Sequence, residues 1–84
     1  MYNYSALPER LQRGMERYIQ DGRGPGGFLT ACLENDLVGA IATADENNLP
    51  RLPAIVHWIY NEAPGNCWGS REAVAAWKKT KEEV

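Results

Sequence analysis

Apolar positions in the first quarter of the chain fall at Leu7, Leu11, Met15 and Tyr18, spaced four, four and three apart. That spacing draws one stripe down an α-helix and predicts a helix over residues 6–21. Pro8 suits its first turn, where a missing N–H costs nothing, with Ser5 or Ala6 just outside. Glu9 and Arg13 form an i,i+4 pair on the exposed side. Gly14 weakens the middle, and Gly22 is placed to stop the helix after Asp21. The segment Gly22-Arg23-Gly24-Pro25-Gly26-Gly27, with four glycines and one proline, breaks the pattern.

Beyond the break, Leu29, Leu33, Leu37 and Ile41 recur every fourth residue. A strict period of four drifts by about 40° per step around a helix of 3.6 residues per turn, so one straight helix does not keep these residues on one face. A bent helix fits, and so do two helices over 27–34 and 36–44. Asn35 is suited to end the first and Asp36 to cap the second, which favours the break. Residues 44–48 read as a polar turn. Asn48 and Pro50 then suit the N-cap and first position of a further helix, with Leu52, Ile55, Val56 and Ile59 on one face. Trp58 and Tyr60 carry apolar character further around it. A strand over Ala54–Tyr60 is the alternative, but no second strand is evident to satisfy its backbone. A helix over 52–62 that is apolar nearly all round belongs in the centre of the fold or partly under another subunit. It therefore predicts a homo-oligomer, a dimer by default.

Pro64-Gly65-Asn66 reads as a turn and Cys67-Trp68-Gly69 as a continuing loop. Ser70 suits the N-cap of a last helix, with Glu72 in its first turn. Ala73, Val74, Ala76 and Trp77 form its inward face, and Lys78, Lys79 and Lys81 lie toward its C-terminus. The tail Glu82-Glu83-Val84 is expected to fray. The fold expected is all-α, a single small domain of four to five short helices ordered over about residues 6–80.

Composition narrows the functions. The 84 residues, 44% hydrophobic and 24% charged, make one globular domain. Nine basic and eleven acidic residues leave a formal charge of −2, which argues against long nucleic acid as a partner. No run approaches the roughly 20 apolar residues that span a bilayer, so no membrane is expected. Met1-Tyr2-Asn3-Tyr4-Ser5 lacks the basic and apolar regions of a signal peptide, which points to the cytoplasm. In that compartment Cys32 and Cys67 are reduced thiols. With a single histidine, no Cys-x-x-Cys and no His-Glu-x-x-His, no metal and no cofactor are expected.

Few residues carry chemistry. His57 lies in the apolar run Ile55-Val56-His57-Trp58-Ile59 with no local nucleophile or orienting group, and reads as a structural or surface residue. Cys32 reads as a packed thiol. Cys67, in a loop next to Trp68, could be exposed, where nearby Arg71 would lower its pKa, but without a base it makes only a weak nucleophile. Asp36, Asp45 and Glu46 could form an acid–base pair or a metal cradle, but Asp36 and Asp45 stand where helix caps and turns want Asp, and capping is the favoured reading. The chain is accordingly not expected to be an enzyme, and a hydrolase is the least favoured reading.

Two helix starts invite an anion, because helix N-terminal N–H groups and the dipole favour negative charge. At the first, Arg23, Gly26, Gly27 and Phe28 are candidate ligand contacts. The sequence after Gly27 is Phe28-Leu29, so this is no phosphate-binding P-loop, and a plain interhelical connector explains the same residues. At the second, Trp68 offers a stacking face, Ser70 a donor and Arg71 a phosphate fork, with Tyr60 and Asn61 within reach. A capped helix beside a core tryptophan is the plainer alternative. Eight aromatic residues exceed what a small core requires, so some are expected at a pocket or an interface. The partner these features predict is a small anionic, nucleotide-like molecule.

The motifs Pro25-Gly26-Gly27-Phe28-Leu29, Asn35-Asp36-Leu37, Ala44-Asp45, Asn48, Tyr60-Asn61-Glu62-Ala63-Pro64, Trp68-Gly69-Ser70 and Trp77 together resemble a family of small bacteriophage and prophage accessory proteins. The resemblance runs over roughly residues 8–78 and assigns no residue a role. It implies an accessory protein in the host bacterial cytoplasm that acts on host defence, by sequestering a nucleotide signal or by blocking a host or phage protein.

Overall fold

A computed structural model describes residues 2–82. Five α-helices carry the fold: α1 Glu9–Asp21, α2 Gly27–Leu33, α3 Leu37–Thr43, α4 Leu52–Glu62 and α5 Arg71–Glu82. Short 3-10 turns at Tyr4–Ala6 and Leu49–Arg51 precede α1 and α4. No strand occurs among the described residues, so Ala54–Tyr60 is helical and the strand alternative falls.

The first stripe lies where its period puts it. Leu7, Met15 and Tyr18 are buried and Leu11 packs against them. The start of the helix differs from expectation. Pro8 is the extended N-cap of α1, and the residues before it form a separate 3-10 turn. Gly22 ends α1 in the left-handed region at φ 71°, its N–H bonded to the Tyr18 carbonyl. Close approach adds to the glycine requirement, because a Cβ there would stand 2.6 Å from Cβ of Lys81 on α5.

The period-four run breaks at Asn35, whose φ of 63° is a left-handed helix end. The Asp36 N–H returns to the Ala31 carbonyl at 2.9 Å, closing α2. The Asp36 carboxylate then caps α3 by accepting the Gly39 N–H at 3.0 Å. Gly39 leaves room for that carboxylate, which a side chain at this position would strike. Asn48 and Pro50 do not start α4. They belong to the 3-10 turn, and α4 begins at Leu52 with Pro53 in its first turn. Ser70 caps α5, its Oγ accepting the Ala73 N–H at 3.0 Å. Of the inward face expected for α5, Val74 is buried and Ala73 and Trp77 are half-buried, but Ala76 faces solvent. Of the tail expected to fray, Glu83 and Val84 lie outside the described residues.

The core collects Met15, Tyr18 and Ile19 from α1, Phe28, Leu29, Cys32 and Leu33 from α2, Ile55, Trp58 and Ile59 from α4, and Val74 from α5. Three aromatic side chains tie distant segments through buried or half-buried donors. The Tyr18 hydroxyl donates to the Cys67 carbonyl at 2.6 Å. Trp58 Nε1 donates to the Asn3 carbonyl at 2.8 Å, and Trp77 Nε1 to the Tyr18 carbonyl at 3.0 Å. Each bond ties together segments far apart in sequence, so the chain does not divide into separately stable halves. Helix α4 covers one face within the chain and leaves Val56 and Tyr60 outside, whereas α3 buries only Ala40. The most exposed apolar helix is therefore α3, not the 52–62 helix singled out by composition. None of the described helices is long and apolar enough to cross a membrane.

Candidate functional site

An apolar cleft opens between α2, α3 and α4, lined by Ala31, Cys32, Leu37, Ala40, Leu52, Val56, Ile59 and Trp68, with Asn35 and Asp36 at its polar edge. Its volume is about 160 Å³. A cavity of roughly 150 Å³ lined by aliphatic side chains holds a benzene ring, so this cleft has room for one ring-sized group. Trp68 reaches it from the loop before α5, and the Gly69 N–H fixes that loop by bonding to the Leu33 carbonyl at 2.7 Å. The Trp68 indole N–H is buried and, among the described residues, has no acceptor. Such an orphan donor costs about 1–3 kcal/mol and is uncommon in a well-satisfied interior.

Tyr60, exposed on α4, meets Trp68 edge to face with ring centroids 6.2 Å apart. Arg71, at the start of α5, is exposed, and its Nε lies 3.8 Å from a carboxylate oxygen of Glu34. At that length and exposure the ion pair is worth little, which leaves the guanidinium available to a stronger anion. Three of the predicted residues, Tyr60, Trp68 and Arg71, thus border one region at the end of α4 and the start of α5. Ser70 accompanies them, with its hydroxyl oxygen engaged in the α5 cap. Asn61 bonds instead to the His57 carbonyl at 2.9 Å and lines a separate shallow groove with His57.

The other predicted cluster comes apart. Phe28 is in the core, while Arg23, Gly26 and Gly27 are exposed on the connector and at the first residue of α2. Helix α2, which follows this connector, spans seven residues.

The exposed placement weighed for Cys67 does not hold. Cys67 is fully buried rather than open to solvent. Its thiol is pushed up to about 11 by burial, not lowered by Arg71. Cys32 is buried as expected, and burial pushes its thiol up to about 11 too. Neither is a thiolate near neutral pH, so neither is an activated nucleophile. His57 is exposed on α4. No group of three or more His, Cys, Asp or Glu suited to a metal ion occurs among the described residues.

Sequence reasoning singled out Trp68 but missed Leu37, Leu52, Val56 and Ile59 as its neighbours in the cleft. The signals were the period-four run, which marks Leu37 as apolar, and the stripe Leu52, Val56 and Ile59 of the 52–62 helix, and neither says what these residues face. No protein-family model matches the chain, and no curated protein or solved structure matches it.

Proposed function

We propose that this protein is a non-enzymatic binder of a small anionic, base-containing ligand, a phage accessory protein that sequesters a nucleotide-type second messenger in the host cytoplasm and so counters host defence. The observation that carries this reading is the neighbourhood of Trp68. A ring-sized apolar cleft, the edge-to-face Tyr60 ring and the exposed Arg71 guanidinium lie around one loop. Stacking of a base on an aromatic side chain contributes roughly 1–3 kcal/mol, and each charge-assisted hydrogen bond to a phosphate about 1.5–3 kcal/mol. One stack and two such bonds supply about 4–9 kcal/mol before ordering costs, so their upper end is compatible with binding near micromolar, which corresponds to about 8 kcal/mol. The phage setting rests on the motif resemblance alone. Binding rather than turnover is favoured because both thiols are buried and protonated and His57 stands exposed on α4.

Titration calorimetry against a panel of mono- and dinucleotides tests the site. Trp68→Ala and Arg71→Ala are each expected to weaken binding at least tenfold, with the helical circular dichroism signal unchanged. Parent-like binding by both variants, or no binding by the parent, rejects the reading. The exposed apolar side chains of α3 favour a second reading, an interaction module that inhibits a host or phage protein. Mass spectrometry of protein purified from infected cells separates the two: released intact nucleotide supports the first, and a co-purifying host chain the second.

A further inference from the structure

The neighbourhood of Trp68 is short of positive charge. Arg71 is the cation beside it, and the Nε of that guanidinium lies 3.8 Å from a carboxylate oxygen of Glu34. The Glu34 side chain is only 17% exposed, against 79% for Arg71, so the carboxylate is the fixed member of the pair. A second carboxylate, Asp36, stands at the edge of the cleft. Its Oδ1 accepts the Gly39 N–H at 3.0 Å, a neutral donor that leaves the carboxylate charge in place. Glu34 and Asp36 flank Asn35, the left-handed residue between α2 and α3. No Lys or Arg lines the cleft. Before any ligand arrives, the cleft and its border thus carry one guanidinium and two carboxylates.

Resting on the ligand reading above, we propose that this site selects nucleoside phosphodiesters over nucleoside phosphomonoesters and triphosphates. A diester carries one negative charge. The single guanidinium balances it through its terminal nitrogens, because Nε is the atom turned to Glu34. A monoester carries about −1.5 to −2 at pH 7. Its second charge finds no second cation at the cleft, faces Glu34 and Asp36 instead, and still sheds hydration on entering an apolar opening. A triphosphate multiplies the same handicap. Carboxylates beside a site for an anion are a repulsive element, of the kind that sets specificity by penalising the wrong ligand. They also fix orientation: the phosphate lies toward Arg71 and away from Asp36, which leaves the base to fill the cleft. A site filtered in this way is not occupied by nucleoside triphosphates, as sequestration of a diester signal requires.

Titration calorimetry of the full chain compares ligands that share a base and differ in phosphate charge. The probes are 3′,5′-cyclic nucleoside monophosphates and 3′,5′-linked dinucleoside monophosphates against the 5′-monophosphates and 5′-triphosphates of adenosine, guanosine, cytidine and uridine. For at least one base, the diester is expected to bind at least tenfold tighter than the 5′-monophosphate, with the triphosphate weaker still. Glu34→Gln and Asp36→Asn each remove one charge at nearly constant shape, and asparagine keeps the capping oxygen of Asp36. Each is expected to narrow the gap between diester and monoester at least threefold. Circular dichroism identifies a variant that fails to fold, and the ranking by the parent decides without either. Monoesters or triphosphates that bind as tightly as diesters overturn this inference and leave the ligand reading standing. Folded variants that keep the full gap overturn it as well, because the carboxylates are then not its source. A parent that binds none of the probes overturns both.

Discussion

Trp58→Ala is expected to lower the unfolding free energy by about 3–5 kcal/mol, the cost of emptying a buried aromatic site. Three contributions act together here. The ring is almost completely buried. It stacks on Tyr4 with centroids 5.5 Å apart and planes 29° from parallel. Its Nε1 donates to the Asn3 carbonyl at 2.8 Å. Alanine leaves a cavity on α4, an unpaired carbonyl and a freed N-terminal 3-10 turn. A domain of this size holds on the order of 5–10 kcal/mol in total, so the variant is expected to lose about half of its stability. Urea denaturation followed by circular dichroism measures it. Trp58→Phe, which keeps the stack and loses the N–H, is expected to cost only about 1–2 kcal/mol. Equal losses for the two would show that packing is not the dominant part.

The second large effect is alkaline. In the unfolded chain both thiols ionise near their ordinary value of 9.0, whereas burial holds Cys32 and Cys67 protonated until about pH 11. Above pH 9 the unfolded state therefore gains stability by releasing protons that the native state retains. The stabilisation from each thiol is complete below pH 9 and is lost as pH rises through about 11. Each loss is roughly 2–3 kcal/mol. Burial shifts the Tyr18 phenol in the same direction, which extends the decline to higher pH. Urea midpoints under reducing conditions are expected to be flat from about pH 7 to 8.5 and to fall steeply by pH 10.5. Cys67→Ala is expected to remove about half of that slope. A midpoint that does not move over this range would mean that the thiols titrate alike in both states.

The devices that the sequence displays most openly are local ones. Gly22, Asn35, Asp36 and Ser70 each end or cap a helix through bonds within a few residues, and a residue type in the right place is enough to read them. The Leu7–Leu11–Met15–Tyr18 stripe was legible because three turns of one period allow a single face. What periodicity does not encode is whether anything covers that face. Leu29 and Leu37 look alike in the period-four run, yet one is buried in the core and the other stands largely in solvent, because the αL residue Asn35 turns α3 off the line of α2. Cys67 illustrates the same limit. Flanking Gly65, Asn66 and Gly69 give it the appearance of an exposed loop residue, and its burial depends on a hydroxyl 49 positions away. Around the candidate site, Trp68 and Arg71 were readable as residue types able to stack and to pair with phosphate. The Tyr60 edge on Trp68, the Glu34 carboxylate beside Arg71 and the cleft walls arise from contacts between elements, which no short window of sequence contains.

The Cys67–Gly69 loop is attached at two points, by the Tyr18 hydroxyl on the Cys67 carbonyl and by the Gly69 N–H on the Leu33 carbonyl. One anchor belongs to α1 and the other to α2, so the loop lifts away only if the packing of both helices is lost. In deuterated solvent the Gly69 amide is therefore expected to exchange as slowly as the innermost amides of α1 and α2, through whole-molecule opening. Gly65, only four residues earlier and exposed, marks the fast end of the same loop. Between these two glycines the chain passes from one of its quickest-exchanging backbone sites to one of its slowest without entering a helix.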